Sequence, residues 1–498
     1  MKHLIKALLL SLLMLALLLP ALFGCMLLPT DEPSAEEPPT EEPGEDTTPP
    51  AQDPLADFAS RNEKQQALYI LRNDLFNERK MASVTMEMQM TFSGNYLGFA
   101  MTGTSSATLK AIQKSANNDL FFCTETDTSF LLSGSGVNER FTSHTHEGYA
   151  NGKMFAYGVD SAVGKSYALY SELTAEEFLA HEEEMEEDST LNDIDERSCS
   201  SITCKKTADG YEASFSGFTA QGMEALYDLT ASISTLFEQE VQDVQLTICV
   251  DDALTPRSLA LDMLFEGGED APQIAMQIAY TDVGSTKPYT VDFTGYRKVT
   301  DLRVLDQVER AVKKTDALEV LSFSHKSQIT AEVSKGSFQN SICETDLYID
   351  ERNDALYFTL NENNNGVYGN YTYEDGVFSG EGYYQPLTLA QARALLAVYC
   401  DTFSLEPWRV KECKYTADGE LYVVFDDPDT APFADLLASY GVTACKNTEA
   451  TLTVRLKSSG LLHRFEYVLL ADVEPSYSAT PLGICYRVTC KNYSTATR

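Results

Sequence analysis

Residue types that could carry out chemistry are few in this chain and rarely grouped. His144-Thr-His146 lies in a strand-like stretch, where alternate residues share a face, so the two imidazoles are suitable ligands for a metal ion. No third ligand is recognisable in register with them, which favours a surface or hydrogen-bonded pair. The acidic run at residues 181–196 lacks the ordered D-x-[DN]-x-[DN]-G loop of a Ca²⁺ site and is interpreted as a solvated loop. No metal ion or other cofactor is therefore predicted.

Motifs for nucleophilic catalysis are absent from the sequence. It contains no GxSxG elbow, no SxxK, no HExxH and no phosphate-binding glycine loop. Carboxylates are plentiful, but their number says nothing of the paired placement that a glycosidase needs. We therefore expect a protein that is not an enzyme and has no catalytic residues.

The length of the chain indicates the number of domains, and its net charge excludes some classes of binding partner. The 498 residues exceed one ordinary core and predict two to four domains, and 43% hydrophobic residues predict globular structure. The net charge of -38, without a Lys or Arg cluster, argues against binding to nucleic acid or to an anionic lipid surface.

The first 25 residues have the pattern of an export signal. Lys2 and Lys6 precede the apolar run LLLSLLMLALLL, and Leu22-Phe23-Gly24-Cys25 follows. This ending resembles the lipobox of bacterial lipoproteins, although Phe23 departs from its usual small or β-branched residue. The resemblance implies that Cys25 is acylated and becomes the mature N-terminus. An uncleaved transmembrane anchor over residues 7–28 is the alternative, and both interpretations place the rest of the chain outside the cytoplasm.

Residues 26–55 are rich in Pro, Glu, Asp and Thr and cannot bury enough apolar surface to fold. They are predicted to form a disordered tether. Together with the lipobox, this tether resembles those of exported lipoproteins of Gram-positive bacteria. The resemblance implies a membrane partner, reached through the lipid anchor.

Ten cysteines remain besides Cys25. An even number in an exported chain permits disulfides. Their wide spacing, the absence of CxxC and apolar neighbours such as Phe121-Phe122 before Cys123 favour buried thiols instead. Both states remain open at this stage.

One seven-residue phrase occurs twice, as CKKTADG at residues 204–210 and CKYTADG at residues 413–419. A repeated catalytic loop, metal site or structural turn would each explain it. Further matches occur in the same order along the chain, which favours a duplicated fold and hence a turn. They are the hairpin turns Asn151-Gly152 and Asp375-Gly376, the capping boxes at Thr174 and Thr388, Cys123–Asp127 with Cys343–Asp346, Leu246–Val250 with Leu452–Leu456, and YTVDFTGYRKV with ICYRVTCKNYS.

The duplication divides the ectodomain at residues 56–300 and 301–498. Each half is predicted to begin with a helix, at residues 55–77 and 303–317, and to continue with short strands interrupted by helices. Alternation of apolar and polar residues from Val84 to Phe92 predicts a strand with one buried face. The expected fold class is α+β, with two tandem domains, each a curved antiparallel sheet with packed helices.

This order of elements resembles the lipoprotein-carrier superfamily that includes LolA and the LppX and LprG lipoproteins. The resemblance covers nearly the whole ectodomain twice and rests on Tyr-x-[Asn/Asp]-Gly-x-[Met/Phe] hairpins. It implies half-barrels whose helix-covered concave face encloses an apolar cavity for acyl chains. No ligand residue of that family can be mapped onto this chain.

Two apolar stripes are the candidate ligand-binding residues. Flexible thioethers suit an adaptable apolar surface, although an ordinary core is the favoured interpretation of both stripes. The stripes are Met86, Met88, Met90 and Phe92 in the first half, and Leu356, Phe358 and Leu360 in the second.

Two functional hypotheses remain. In the first, a non-enzymatic lipoprotein binds or shuttles a hydrophobic ligand such as a lipid. In the second, a surface adaptor or envelope-stress sensor has filled cores and acts through protein contacts, with a partner that the sequence does not identify.

Overall fold

The computed structural model describes most of the chain after the tether. The described residues are 54–71, 83–96, 99–112, 120–134, 137–162, 164–185, 194–224, 226, 241–265, 271–316, 318–334, 337–352, 355–380, 382–400, 405–426, 428, 442–475 and 482–495. Cys25 lies outside them, so its predicted acylation stays a prediction. None of the described helices has the length and apolar character needed to cross a membrane.

The predicted α+β class is wrong. Of the described residues, 63% lie in strands and 16% in helices, and the strands form two large sheets of 12 and 11 strands. Several strands run for 14 or 15 residues, whereas the longest described helix has 14 residues and the others fewer. The sheets, rather than packed helices, therefore form the body of the protein.

Contacts divide the chain into two compact units between Tyr296 and Arg297, with Leu169–Ser171 grouped with the second unit. The sequence-based division lay at residues 300 and 301.

The first sheet is two meanders joined along one pair of strands. Its order is β12-β6-β5-β4-β3-β2-β1-β11-β10-β9-β8-β7, and the strand pairings whose register the described residues define are antiparallel, except the parallel pairing of β12 with β6. The strands are β1 (Ser83–Tyr96), β2 (Phe99–Ile112), β3 (Phe121–Gly134), β4 (Val137–Ala150), β5 (Lys153–Asp160), β6 (Lys165–Glu172), β7 (Cys199–Thr207), β8 (Gly210–Phe218), β9 (Val241–Val250), β10 (Pro256–Phe265), β11 (Gln273–Thr281) and β12 (Arg297–Lys298).

Among the described residues, four short helices accompany this sheet. They are α1 (Pro54–Ser60), α2 (Glu63–Tyr69), α3 (Ala175–Met185) and α4 (Ala220–Glu224). Asn62 caps α2 in a complete capping box with Gln65. Helix α2 packs on β7 and β8, where Phe58 of α1 meets the Tyr211 ring edge-on at 4.9 Å.

The second sheet has the same plan. Its order is β18-β17-β16-β15-β14-β13-β23-β22-β21-β20-β19, with all pairings antiparallel. The strands are β13 (Val320–Ser334), β14 (Ser337–Asp350), β15 (Tyr357–Asn364), β16 (Val367–Glu374), β17 (Val377–Gly380), β18 (Tyr383–Pro386), β19 (Val410–Tyr415), β20 (Leu421–Asp426), β21 (Val442–Leu456), β22 (Leu462–Pro475) and β23 (Leu482–Ser494). Helix α5 (Arg303–Asp316) packs on β19, β20 and β22, and α6 (Leu389–Cys400) follows β18.

In each unit six strands are followed along the chain by a helix and five more strands of the same sheet, and the last of these eleven strands pairs with the first. The first sheet also includes β12, and α4 lies between β8 and β9. The Asn151-Gly152 and Asp375-Gly376 turns join equivalent strands in this scheme. Two matches made from the sequence are wrong. Cys123 lies on the third strand of its sheet but Cys343 on the second, and YTVDFTGYRKV follows β11, whereas ICYRVTCKNYS lies on the closing strand β23.

The repeated heptapeptide joins equivalent strands but forms two different turns. In the first copy Thr207 pairs directly with Gly210, which begins β8 with a φ of 141°. In the second, the Thr416 amide donates to the Glu420 carbonyl (2.8 Å), and Gly419 has a φ of 76°. Gly210 is therefore the first residue of β8 rather than the expected turn residue, and the Val250 carbonyl at the end of β9 leaves no room there for a Cβ.

Candidate functional site

The first apolar stripe lies on one buried face of the first sheet, here named the methionine face. Met86, Met88, Met90 and Phe92 are 2–6% exposed, while Glu87 and Gln89 between them are exposed on the opposite face. On β1 the alternation of apolar and polar residues therefore produces one buried and one exposed face, as expected.

The strand registers continue this face across the sheet and reveal a change of chemistry. One row of directly paired residues crosses ten strands, from β7 to β5. In order, it contains Cys204, Ala213, Ile248, Leu259, Ile278, Met88, Ala107, Thr126, Thr145 and Gly158. The row is apolar as far as β2 and then carries hydroxyl groups.

The neighbouring row makes the same change one strand earlier. It contains Ile202, Phe215, Leu246, Leu261, Met276, Met90, Ser105, Thr128 and Ser143. Ser105 and Thr128 are 2% and 5% exposed, and their hydroxyl oxygens are hydrogen-bonded at 2.9 Å. In these two rows the methionine face is thus apolar on β7–β11 and β1 and hydroxyl-bearing within β2–β4, whereas the flanking rows through Val84 and Phe92 continue on β2–β4 with Phe122, Phe130 and Phe141.

Two buried hydroxyls on the methionine face have no hydrogen-bond partner among the described residues. They are Thr124 Oγ1 on β3 and Tyr280 Oη on β11, and both belong to the row that crosses Met86 and Leu109. Burial raises the pKa of Tyr280 well above its ordinary value, so the phenol remains neutral. Buried polar groups usually have a partner, so these two atoms are suitable contacts for a polar ligand group.

The second stripe is also buried. Leu356 precedes β15, and Phe358 and Leu360 lie on it, at 8%, 0% and 1% exposure. The Phe358 ring stacks on Tyr373, with ring centroids 5.2 Å apart. However, β15 corresponds to β3 of the first sheet rather than to β1.

The equivalent of β1 is β13, whose buried series is Leu321, Phe323 and His325. Sequence reasoning missed His325, although the alternation Leu321-Ser-Phe323-Ser-His325 places it on the buried face. We name this face of the second sheet the histidine face.

The histidine face shows the same change from apolar to polar residues. One row contains Leu421, Val454, Phe465 and Cys490, and continues with His325, Thr345 and Glu362. Tyr399 of α6 lies over the polar part: its hydroxyl donates to Glu362, and its ring meets that of His325 edge-on at 5.6 Å.

His325 is 6% exposed, and its Nδ1 has no hydrogen-bond partner among the described residues. Burial lowers the pKa of His325 from 6.5 to about 4, so the imidazole is neutral near pH 7. Burial also raises the pKa of Tyr399, and the hydrogen bond to Glu362 adds to this. The polar part of the histidine face therefore offers a neutral imidazole next to a carboxylate and a phenol.

Residues on the face of the first sheet opposite the methionine face contradict one interpretation made from the sequence. Asp127 of β3 pairs directly with His144 of β4, and Glu125 pairs with His146. The statement that no third ligand lies in register with the two histidines is therefore wrong. The acidic partners precede them by one strand in the sequence.

Every cysteine whose side chain is described is a free thiol: Cys123, Cys199, Cys204, Cys249, Cys343, Cys413, Cys485 and Cys490. Burial raises the pKa of Cys123 and Cys199 to about 12 and that of Cys204 to about 11. Such thiols are protonated near pH 7 and serve as small apolar side chains.

Comparisons with known proteins give no family. No family model matches the chain, and neither does any curated protein. Similar solved structures include a protein described as AttH from Nitrosomonas europaea, with 8% identity over 82% of this chain and 92% of that one, and a TM-score of 0.12. A porin-like protein from Bacteroides uniformis has 7% identity over 84% and 96% of the two chains and a TM-score of 0.11.

Transferrin binding protein B from Haemophilus parasuis has 7% identity over 82% of this chain and 76% of its own, with a TM-score of 0.14. These low values identify neither a fold family nor a function.

Proposed function

We propose that this chain is an exported, lipid-anchored protein whose sheets bind a lipid-like ligand, with an apolar chain and a polar head. The observation that carries the proposal is the change from apolar to polar residues within single rows of each buried face. An acyl chain would lie along the apolar part and a polar head along the hydroxyl groups or His325.

The energetic argument concerns the polar groups. A face that serves only as a core gains from apolar side chains, whereas each buried hydroxyl or imidazole without a partner costs free energy. Both sheets nevertheless place polar groups in the meander that begins with the first strand, as hydroxyls on β2–β4 of the first sheet and as His325, Thr345 and Glu362 on β13–β15 of the second, while Tyr280 on β11 lies on the other side of β1. This recurrence supports a binding role over a filled core alone.

The anchor is part of the same proposal. Acylation of Cys25 would hold the protein at the outer side of the cell membrane, and the acidic Pro-rich tether would let the sheets reach a lipid at some distance from it. The proposed function involves no catalytic step.

The test is native mass spectrometry, with lipid extraction, of the purified full-length protein. We expect acyl species to co-purify with the wild type. Met88→Asp should remove the acyl species bound by the first unit, because a carboxylate in the apolar part opposes binding of an acyl chain. Gln89→Asp is the matched control: it lies next on the same strand but on the exposed face, and it should keep the wild-type lipid content.

A second variant separates binding from simple packing. Met88→Trp should displace lipid if the ligand lies against Met88. If instead it lowers the melting temperature by overpacking, which costs about 1–3 kcal/mol, and leaves the lipid content unchanged, the proposal fails for the first unit.

A further inference from the structure

Four residues on the opposite face of the first sheet form a compact group on β3 and β4. Glu125 and Asp127 alternate along β3, His144 and His146 alternate along β4, and the registers pair each carboxylate with a histidine. The ligand atoms of Glu125, Asp127 and His144 lie within 4.8 Å of one another. The His144 side chain is 33% exposed and those of Glu125 and Asp127 are 53% and 67% exposed, so a cation from solvent can reach them.

The two nitrogens of His144 face different carboxylates. Its Nδ1 lies 3.0 Å from Asp127 Oδ1, a hydrogen-bond distance, and its Nε2 lies 3.9 Å from Glu125 Oε1. If Nδ1–H donates to Asp127, Nε2 keeps its lone pair for a metal ion, and Glu125 Oε1 is the carboxylate oxygen 3.9 Å from it. A carboxylate that fixes the ring of a ligating histidine in this way is a common feature of metal sites.

The gap between Nε2 and Glu125 has the size that a metal ion needs. Bonds of 2.0–2.2 Å from zinc to nitrogen and oxygen place two tetrahedral ligands about 3.4 Å apart. The observed 3.9 Å closes to that value with a shift of about 0.5 Å by the exposed Glu125 side chain.

His146 is held elsewhere. Its Nε2 lies 2.8 Å from the Tyr289 hydroxyl, and its ring contacts the rings of Phe155 and Tyr289, with centroids 4.9 and 5.9 Å away. His146 is therefore the member of the group that does not serve as a ligand.

We propose that Glu125 and His144 bind a divalent transition-metal ion of the zinc type, with Asp127 orienting His144. An imidazole with carboxylates suits Zn²⁺ or Mn²⁺ better than Ca²⁺ or Mg²⁺, which prefer oxygen ligands alone. Two carboxylates beside one imidazole supply the negative charge that a dication requires, and water completes the coordination. This site is separate from the methionine face and does not depend on lipid binding.

Isothermal titration of the full-length protein with Zn²⁺ tests the proposal. We expect saturable binding of one ion, lost in Glu125→Gln and His144→Ala and weakened about tenfold or more in Asp127→Asn. His146→Ala is the matched control, since it removes the same residue type from the same face of the same strand. It should bind Zn²⁺ within a few-fold of the wild type.

Co²⁺ provides a spectroscopic check, because the chain also contains thiols. Visible bands without thiolate charge transfer, lost in His144→Ala, would support the site. Absence of saturable binding, a thiolate band, or wild-type binding by His144→Ala would overturn it, as would a His146→Ala variant that binds no metal. The two carboxylates are exposed and the two histidines half-buried, so circular dichroism should show that all four variants keep the fold.

Discussion

His325 stands where the alternation of β13 otherwise places large apolar side chains. It follows Leu321 and Phe323 on the buried face and packs edge-on against Tyr399. Burial disfavours the imidazolium, and the folded protein therefore resists protonation at this residue. The second unit consequently contains a group whose charge is linked to folding.

That linkage predicts a specific pH dependence. The folded pKa of His325 is about 4 against 6.5 for the ordinary group, so stability is complete above pH 6.5 and falls as the unfolded chain takes up the proton between these values. The expected loss by pH 4 is up to about 3 kcal/mol. Urea unfolding of the wild type and of His325→Gln across this pH range measures the loss of stability, which should be smaller in the variant. Identical pH profiles would contradict the prediction.

The buried side of a strand could be predicted from the sequence more easily than the residues that lie beside one another across strands. The buried side of β1 follows from alternation alone, as Met86, Met88 and Met90 illustrate. The partners of His144 could not be predicted, because Glu125 and Asp127 become its neighbours only through the register of β3 and β4. A motif search along the chain does not detect a site that runs across strands.

Helices are minor elements here, but two of them begin in the same way. At α3 the Thr174 hydroxyl accepts from the Glu177 amide (3.2 Å), and the Glu177 carboxylate accepts from the Thr174 amide (2.8 Å). At α6 Thr388 and Gln391 make the same two bonds at 3.2 and 2.9 Å. The capping boxes predicted from the sequence are therefore confirmed.

Removing either cap should destabilise its unit. Thr174→Ala and Thr388→Ala each remove one acceptor and should lower the free energy of unfolding by about 1 kcal/mol. Thr→Ser at either position keeps the hydroxyl and is the control. Chemical denaturation measures both, and an alanine variant as stable as its serine counterpart would contradict the assignment.

The repeated heptapeptide allows a sharper comparison, because equal sequences adopt unequal turns. A Cβ at Gly210 would lie 2.0 Å from the Val250 carbonyl oxygen, whereas a Cβ at Gly419 meets nothing within 4 Å. Gly419→Ala should cost about 1 kcal/mol for its positive φ, and Gly210→Ala several times as much. Urea unfolding of the two variants decides this, and equal losses would show that the turns are alike.

At the scale of elements, the sequence predicted repetition well and pairing poorly. Turn residues and caps depend on a few neighbouring positions, so they are visible in both copies. The match of Cys123 to Cys343 shifted by one strand because short motifs on neighbouring strands look alike. The sheets are larger than a half-barrel because one meander continues into the other, which depends on pairings between distant strands.

The whole molecule consists of two units of one plan that differ in their polar groups. The first has Ser105, Thr126 and Thr128 on its second and third strands, whereas the second has His325, Thr345 and Glu362 on its first, second and third strands. The change from apolar to polar residues runs across the strands, so no continuous segment of the sequence contains it. Within the proposed function, the two units would therefore prefer different head groups.

Membrane attachment is the prediction that concerns the chain as a whole. Cys25→Ala should abolish labelling by an alkyne fatty acid and release the protein from the membrane fraction, because the thiol is the proposed site of acylation. Gel fluorescence after metabolic labelling measures this. Replacement of Cys123, which is buried, is the control, and label retained by Cys25→Ala would refute the anchor.

The pairing that joins the two meanders of each sheet also governs how the chain reaches its fold. Met88 pairs with Ile278, and Ser327 pairs with Val488, so these contacts close the longest loops of their units. Hairpins form from neighbouring segments, but closure between distant strands is slow. During synthesis β1 therefore leaves the ribosome long before β11 does, with one apolar edge open to other chains. Successful production of this protein depends on protecting that edge until its last partner has been made.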